Sequence, residues 1–226
     1  MIRSAHIDTF ARDHLPPPEQ LPKFLFNLPE LHYPERLNRV SAFLDDWLAA
    51  GQGDRDCLIA PAERLSYSAL AERVNRIANV LTRDLGIVPG HRVLLRGPNS
   101  PMMVAAYFAV IKAGGIVVAT MPLLRAKEIA FPLRKAEIRL ALCDVRLADE
   151  MEKAMAFAPA LERVVYWGPG VGDNLESLMV KPGYQDFAPC DTANDDVCLI
   201  AFTSGTTGVP KGTMHLHRDM LAICDT

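Results

Sequence analysis

The stretch AFTSGTTGVPKGTMH, Ala201 to His215, decides how this 226-residue chain is interpreted. Six consecutive residues in it, Thr203 to Gly208, are Ser, Thr or Gly, and a Pro-Lys-Gly follows them closely. The apolar segment before them, Asp196–Phe202, predicts a buried strand. Loops that leave the carboxyl end of a buried parallel strand are where open α/β sheets bind their ligands. The stretch therefore predicts both a fold class and the position of a ligand site.

The sequence before this stretch alternates between predicted strands and predicted helices. Strand His91–Arg96 is followed by Ser100-Pro101, a typical N-cap and first-turn pair, and then by an apolar helix. Gly114-Gly115 ends that helix, and Ile116–Ala119 predicts the next buried strand. A strand–helix–strand unit of this kind is a parallel crossover. We therefore predict an α/β fold, a doubly wound and mostly parallel sheet with flanking helices.

The other predicted elements continue the alternation. Residues 1–38, which are rich in proline and aromatic side chains, predict an extended arm packed on the surface, and residues 168–194 predict a polar region without regular structure. Arg92, Arg96 and the Asp195-Asp196 pair are interpreted as exposed charges at strand ends. Further helices are predicted from about Pro34 to Gly51, from an N-cap at Ser68 onward, at Ala126–Ala136, and at Leu147–Ala156. Pro132 is predicted to break or kink the third of these helices. Further strands are predicted at Cys57–Ala60, Arg139–Cys143 and Arg163–Tyr166.

The composition argues against several classes of protein. The 24 Lys and Arg against 27 Asp and Glu give a net charge of −3, and no basic cluster is present, which argues against a nucleic-acid partner. The longest apolar run, Met102–Ile111, is far shorter than the roughly 20 residues that span a bilayer. The first residues lack the apolar region of a signal peptide. We therefore expect a cytoplasmic protein with no membrane partner.

Cysteine and histidine spacing gives no metal-binding pattern. No two cysteines have CxxC spacing, so reduced thiols are predicted and neither a disulfide framework nor a zinc site. His215 and His217 would share a face if both lay on one strand, and would then form a metal pair. The alternative, which we expect, is that His215 ends a strand and His217 begins a helix, with no metal bound. The five cysteines are Cys57, Cys143, Cys190, Cys198 and Cys224.

The residue types from Thr203 to Lys211 together predict a phosphate-binding loop. Hydroxyls and backbone N–H groups donate hydrogen bonds, glycines let the backbone approach a bulky anion, and Lys211 adds a positive charge. It is not the common nucleoside-triphosphatase loop, because the fifth residue after Gly205 is Pro210 and Lys211 precedes Gly212. A flexible surface linker is the alternative interpretation. The candidate phosphate-binding residues are Thr203, Ser204, Gly205, Thr206, Thr207, Gly208 and Lys211.

TSGTTGVPKG, Thr203–Gly212, resembles the signature phosphate loop of the adenylate-forming superfamily, which comprises acyl-CoA synthetases, carrier-protein adenylation domains and luciferases. LSYSAL at 65–70, PNS at 98–100 and the KAGG…MPL segment at 112–123 resemble other parts of that superfamily in order and spacing. The resemblance covers roughly residues 40–226. The flanking sequences SAHIDTFARDHLPPPEQ, LPELHYPERLN and TMHLHRDMLAICD are most similar to aromatic acid–CoA ligases, among them 2-aminobenzoate–CoA ligase.

This resemblance implies a two-step reaction on a small carboxylic acid such as benzoate or 2-aminobenzoate, as in the degradation of aromatic compounds. The carboxylate attacks the α-phosphate of ATP, which is bound with Mg²⁺, and the thiol of coenzyme A then displaces AMP from the acyl-adenylate. The loop from Thr203 to Lys211 is implied to hold the β- and γ-phosphates while charge develops on the leaving pyrophosphate. His215 and His217 are implied to lie beside the acyl-binding pocket.

The resemblance also implies how the chain is divided. Residues 1–38 form the N-terminal arm, and residues 39–226 form the N-terminal part of the large AMP-binding domain. The family's C-terminal domain and several of its motifs are expected beyond Thr226, so we predict that this stretch alone is inactive and that it self-associates through uncovered apolar surface. Two other interpretations stay open, an adenylation enzyme that loads a carrier protein and a non-catalytic nucleotide-binding or interaction module of the same fold.

Overall fold

A computed structural model describes residues 2–21, 23–25, 27–170, 172, 174–203 and 208–225 of the chain. Its strands, numbered in chain order, are β1 Asp56–Ile59, β2 Arg64–Ser66, β3 Arg92–Arg96, β4 Ile116–Thr120, β5 Leu140–Asp144, β6 Arg163–Trp167, β7 Val197–Thr203 and β8 Lys211–Leu216. Its α-helices are α1 Phe10–Asp13, α2 Asp46–Ala49, α3 Tyr67–Asn79, α4 Pro101–Lys112, α5 Ala126–Lys135, α6 Ala148–Met155, α7 Leu175–Met179 and α8 His217–Asp225. A π-helical turn, Ser41–Asp45, leads into α2, and a second, Val80–Asp84, follows α3.

A six-stranded sheet in the order β6-β5-β3-β4-β7-β8 forms the centre of the fold. The first five strands in that order are parallel to one another, and β8 pairs antiparallel with β7. β1 and β2 form a separate antiparallel pair. The doubly wound, mostly parallel α/β prediction is therefore confirmed. We call the side of the sheet where the parallel strands finish its carboxyl end, and the opposite side its amino end.

Helices cover both faces of the sheet because successive strand residues point to opposite faces. Val93 and Leu95 of β3 join the core beneath α3 and α4, whereas Leu94 joins the core beneath α5 and α6. The helices that follow the adjacent strands β3 and β4 therefore lie on opposite faces. Between two such strands the carboxyl end of an open α/β sheet has a crevice, and ligands bind there.

Most predicted elements are confirmed with shifted ends, and three details differ. Ser66, not Ser68, caps α3, because its hydroxyl accepts a hydrogen bond from Ala69 N at 3.2 Å. α5 continues through Pro132 without a break. The polar region 168–194 contains α7, whose short amphipathic sequence packs Leu175 and Met179 on the core; these two residues are enough to order one helical turn of an otherwise irregular segment.

The described part of the first 38 residues is largely extended and includes only short helical turns, of which α1 is one. Ile7 N and Asp8 N both donate to Pro89 O, which ties the arm to the turn before β3. Leu37 N donates to Thr192 O at 2.8 Å and keeps the chain extended where a helix was predicted from Pro34. The chain becomes helical only at residue 39.

Three charged side chains that were predicted to be exposed are buried. Arg92 and Arg96, at the two ends of β3, expose 5% and 1% of their surface, and Asp196, just before β7, exposes 1%. Arg92 Nη1 lies 2.7 Å from Asp8 Oδ2. Asp196 Oδ2 accepts a hydrogen bond from Ala5 N at 3.0 Å. The exposure predictions are wrong because the polar partners come from segments distant in sequence.

All five cysteines are free thiols. Burial raises the pKa of Cys143 and of Cys198 to about 12, so both thiols stay protonated at neutral pH and are poor nucleophiles. No helix in the described part of the chain is long and apolar enough to cross a membrane.

Candidate functional site

The predicted phosphate loop connects β7 to β8 at the carboxyl end of the sheet. Thr203 is the last residue of β7, Lys211 is the first of β8, and the two are register partners in the antiparallel pair. The hairpin therefore fixes both ends of the loop. Residues 204–207, which carry four of the predicted phosphate contacts, lie outside the described residues.

Two residues of the loop that were predicted to bind phosphate lie in its described part. Gly208 has φ +79°, a backbone conformation that non-glycine residues rarely adopt. Lys211 is exposed, and it forms no ion pair with any residue that the structure describes. That these residues bind phosphate stays a prediction.

A cavity of about 430 Å³ opens beside the two ends of the loop. Thr203 and Pro210, which flank the loop, form part of its lining. Most of the remaining lining is apolar and comes from the end of β4, from α5 and from the turn between them. Phe131 of α5 and Phe202 of β7 meet edge to face there, with 6.0 Å between their ring centroids. The site thus combines a polar loop with an apolar cavity.

A second cavity, of about 380 Å³, lies on the other side of the turn between β4 and α5. Its exposed cations are balanced by neighbouring carboxylates. Arg146 Nη2 lies 2.7 Å from Asp144 Oδ2, and Lys153 Nζ lies 2.9 Å from Glu150 Oε1. A hydrogen bond from Lys153 and another from Ala126 N lower the pKa of Glu150. The lining of this charged cavity has more basic than acidic side chains; they are Arg96, Arg125, Arg146 and Lys153 against Asp149 and Glu150.

Arg96 lies at the carboxyl end of β3, between Thr120 of β4 and Cys143 of β5. Its guanidinium has no carboxylate within ion-pair distance among the described residues, and burial lowers the pKa of Arg96. The exposed Lys211 and the buried Arg96 both lie at the carboxyl end of the sheet, and neither has an acidic partner within ion-pair distance in the described chain.

The structure separates His215 from His217. His215 lies in β8 and is half-buried, whereas His217 is the first residue of α8 and exposes 1% of its surface. The predicted strand-to-helix transition between them is confirmed. His217 Nδ1 accepts a hydrogen bond from Arg39 N at 3.2 Å, and burial lowers the pKa of His217 to about 3. His217 is therefore neutral, and its ring is enclosed by protein; a role for either histidine in lining an acyl pocket stays a prediction.

The described residues contain no group of three or more His, Cys, Asp or Glu side chains that could hold a metal ion.

Reasoning from the sequence found the loop but missed Arg96 and the apolar cavity. An arginine that follows four strand residues was visible in the sequence, yet its partners are carbonyls of residues 121–124. Backbone acceptors leave no signature in a sequence. The cavity was missed for a related reason, because β4, β7 and α5 meet only in the folded sheet.

Comparison with known proteins agrees with this geometry. A family model described as "AMP-binding enzyme" matches residues 45–226. Benzoate–CoA ligase of Thauera aromatica is 31% identical over 193 residues, which cover 85% of this chain and 36% of the relative. Long-chain-fatty-acid–CoA ligase FadD13 of Mycobacterium tuberculosis is 30% identical over 157 residues, which cover 70% of this chain and 30% of the relative.

A solved structure, that of the anthranilate CoA ligase AuaEII in complex with anthranoyl-AMP, matches with a TM-score of 0.79 and 25% identity. The match covers 85% of this chain and 37% of that protein. The chain thus spans about a third of the length of the relatives it matches. The matched residues 45–226 include the complete six-stranded sheet and the loop between β7 and β8. On the sheet, the loop and this match, the chain belongs to the family of AMP-binding enzymes.

Proposed function

We propose that this chain supplies the nucleotide-phosphate-binding part of an ATP-dependent acid–CoA ligase. The observation that carries the proposal is the loop TSGTTGVPKG, whose ends are fixed by β7 and β8 at the carboxyl end of a parallel sheet. The benzoate–CoA and long-chain-fatty-acid–CoA ligases among the similar proteins support the class of reaction.

In the proposed first step, a carboxylate oxygen of the acid attacks the α-phosphorus of ATP, and the bond to the β-phosphate oxygen breaks. The products are an acyl-adenylate and pyrophosphate. Negative charge develops on the departing pyrophosphate, and the loop amides and hydroxyls donate hydrogen bonds to its oxygens while Lys211 adds a positive charge. β7 and β8 fix the two ends of the loop, Thr203 and Lys211, and donors that are positioned before the reaction stabilise developing charge with little reorganisation.

In the proposed second step, the deprotonated thiol of coenzyme A attacks the acyl carbonyl carbon, and the bond to AMP breaks. The products are the thioester and AMP. ATP enters the first step as its Mg²⁺ complex in this proposal. Since the described residues offer no cluster of metal ligands, we assign no residue of this chain to the metal.

We propose an aromatic acid, benzoate or 2-aminobenzoate, as the carboxylic substrate. The proposal is supported by the benzoate–CoA ligase relative and by the similarity to an anthranilate CoA ligase. The flanking sequences point the same way. Of the two histidines implied to line the acyl pocket, His215 is the better candidate, because the ring of His217 is already enclosed and hydrogen-bonded.

An assay of the protein expressed from the complete gene tests these proposals. Pyrophosphate release is expected to depend on benzoate or 2-aminobenzoate, and free coenzyme A is expected to be converted to the aromatic thioester. Thr206→Ala, within the loop, is expected to slow pyrophosphate release, whereas the matched control Thr213→Ala, on β8, is not.

Three other outcomes each contradict a different part of the proposal. If fatty acids react and aromatic acids do not, the aromatic substrate is wrong. If pyrophosphate is released but free coenzyme A is not consumed, the protein loads another thiol, such as that of a carrier protein. If no acid-dependent pyrophosphate release occurs, the chain is part of a non-catalytic module.

A further inference from the structure

The turn between β4 and α5 is held by a single buried side chain. Arg96 Nη1 donates to Met121 O at 2.9 Å, and Nη2 donates to Pro122 O at 3.0 Å and to Leu124 O at 2.8 Å. Arg96 itself exposes 1% of its surface. One guanidinium at the end of the central strand therefore binds three backbone carbonyls of the turn formed by residues 121–124.

Apolar burial holds only one residue of this turn. Leu124 packs against the core beneath α5 and α6, whereas Met121 is 62% exposed and Leu123 is 81% exposed. A backbone hydrogen bond of 3.2 Å, from Leu124 N to Met121 O, closes the turn on itself. Exposed side chains gain little from the hydrophobic effect, and hydrogen bonds from an ionised donor are roughly twice as strong as neutral ones. The three bonds from Arg96 are therefore the main polar restraint on the turn.

The turn separates the two cavities at the carboxyl end of the sheet. Met121 and Leu124 line the apolar cavity, which also contains Thr203 and Pro210 from the two ends of the phosphate loop. Pro122 lines the charged cavity on the other side. A shift of the turn therefore changes the wall that the phosphate loop faces.

The buried charge of Arg96 is not explained by the needs of the fold. No carboxylate lies within ion-pair distance of it among the described residues, and its Nε has no hydrogen-bond partner there. Burying a charge costs free energy unless it is paired and fully hydrogen-bonded, and an apolar side chain of similar volume is often as stable or more stable. The burial of an arginine at this position is explained by the turn, residues 121–124, that its guanidinium holds in place.

We propose that Arg96 is a positioning residue of the ligase. It fixes the turn at residues 121–124 as one wall of the apolar cavity, whose lining also includes Thr203 and Pro210 on either side of the phosphate loop, and so sets the shape of the site next to bound ATP. The kinetic part of this inference rests on the proposed function, whereas the structural part does not. Arg96 acts through the turn and is not assigned a contact with ATP.

Two substitutions separate the position of the turn from the charge. Arg96→Met keeps much of the side-chain volume and removes all donors. Arg96→Lys keeps the charge, but one ammonium on a shorter reach does not reproduce the planar fork that binds three carbonyls. Arg92→Met is the matched control, because Arg92 also donates to three carbonyls, those of Ala136, Gly90 and Glu137, at the opposite end of β3.

Hydrogen exchange of the 226-residue chain tests the structural part. In both Arg96 variants the amide of Leu124, which donates to Met121 O, is expected to exchange about tenfold faster, since the turn loses its three bonds from Arg96. In Arg92→Met this amide is expected to keep its wild-type rate. If both Arg96 variants retain wild-type exchange in the turn, the inference is wrong, whatever the kinetics show. If Arg96→Met does not fold, Arg96→Lys carries the test.

Steady-state kinetics of the protein from the complete gene test the functional part. Both Arg96 variants are expected to raise KM for ATP about tenfold and to change kcat by less than about threefold, because the geometry of binding is lost and the chemistry is not. If lysine restores the wild-type KM, charge and not position is the cause, and the inference is overturned. An equal rise in Arg92→Met would also overturn it. If the wild-type protein shows no acid-dependent activity, the proposed function fails and hydrogen exchange alone decides the role of Arg96.

Discussion

The two ends of β3 carry the same residue in two different settings. At the amino end, Arg92 donates to three backbone carbonyls, pairs with Asp8 at 2.7 Å and lies 4.3 Å from the centroid of the Phe10 ring. At the carboxyl end, Arg96 also donates to three backbone carbonyls, but no described acid neutralises it. Both arginines donate to three backbone carbonyls, but only Arg92 has a carboxylate counter-ion in the described chain.

The same contrast holds for the two ends of the whole sheet. At the amino end, Asp196 accepts hydrogen bonds from Ser4, from Ala5 N and from Ala193 N, and Arg12 lies 3.4 Å from it. At the carboxyl end, Lys211 is exposed and has no ion-pair partner in the described chain. The charge of Asp196 is bound within the fold, whereas that of Lys211 has no described counter-ion and is a candidate for binding a ligand. The following predictions test that division.

Gly90, at the amino end, gives the largest expected effect. Its φ is +92°, and a Cβ added there would lie 2.2 Å from the backbone oxygen of Asp8 in the arm. Gly90→Ala therefore adds a steric clash to backbone strain, and we expect it to lower the free energy of unfolding by about 3 kcal/mol in urea denaturation. Gly86→Ala is the control, because Gly86 has φ +65° and an added Cβ would meet no described atom within 4 Å. The control is expected to lose about 1 kcal/mol from strain alone. Equal losses would show that the arm does not pack against Gly90.

His217 gives the amino end a pH dependence. Burial lowers its folded-state pKa to about 3, and the charge of Arg39 acts in the same direction. Below its unfolded pKa of 6.5, the unfolded chain binds a proton that the folded chain does not bind. The contribution of His217 to the free energy of unfolding is therefore fully present above pH 6.5, and it is lost as the pH drops from 6.5 towards 3.

We expect the free energy of unfolding to fall by roughly 2 kcal/mol between pH 6.5 and about pH 4.5 through His217 alone. His6, whose pKa burial also lowers, adds a smaller loss of the same sign. His217→Gln is expected to reduce the slope measured in urea denaturation at several pH values. A slope of wild-type size in His217→Gln would contradict the assignment.

The two ends of the sheet also show which features of the structure could be predicted from the sequence. The alternation of strands and helices follows local patterns, such as the Ser100-Pro101 start and the Gly114-Gly115 end of α4, and the parallel sheet follows from that alternation. The phosphate loop was found because it consists of consecutive residues. Both kinds of feature depend on neighbours in the sequence.

The errors about buried charges involve partners that are distant in the sequence. Charged residues at strand ends are usually exposed, so Arg92, Arg96 and Asp196 were predicted at the surface. Arg92 is covered by the arm more than 80 residues earlier, and Arg96 is buried against a turn 25 to 28 residues later. Ser66 was missed as the N-cap of α3 for a local reason. The helix begins at Tyr67, one residue after Ser66, and the same short segment contains Ser68, which is also a suitable N-cap.

Lys211 tests whether the carboxyl end is reserved for a ligand. Because its side chain has no ion-pair partner in the described chain, Lys211→Ala is expected to leave the free energy of unfolding within about 0.5 kcal/mol of wild type. In the protein from the complete gene, it is expected to lower kcat/KM for ATP about tenfold, since a hydrogen bond or contact to a charged group is lost.

Lys135→Ala is the control for this prediction. Lys135 is an exposed lysine at the last turn of α5, which ends near the amino end of the sheet. It is expected to change neither stability nor kcat/KM. If Lys211→Ala destabilises the chain and keeps its activity, the lysine serves the fold and not the ligand. The contrast drawn between the two ends of the sheet is then wrong.

Ser100 gives the smallest effect and the sharpest test, because it lies at the carboxyl end but is used by the fold. Its hydroxyl accepts a hydrogen bond from Met103 N at 3.2 Å and caps α4. Ser100→Ala is expected to lower the free energy of unfolding by about 1 kcal/mol, as is Ser66→Ala at the start of α3. Neither is expected to change KM for ATP. A rise in KM for ATP with Ser100→Ala and not with Ser66→Ala would mean that Ser100 serves the ligand as well as the helix. An unchanged KM would mean that the hydroxyl of Ser100 serves the fold alone.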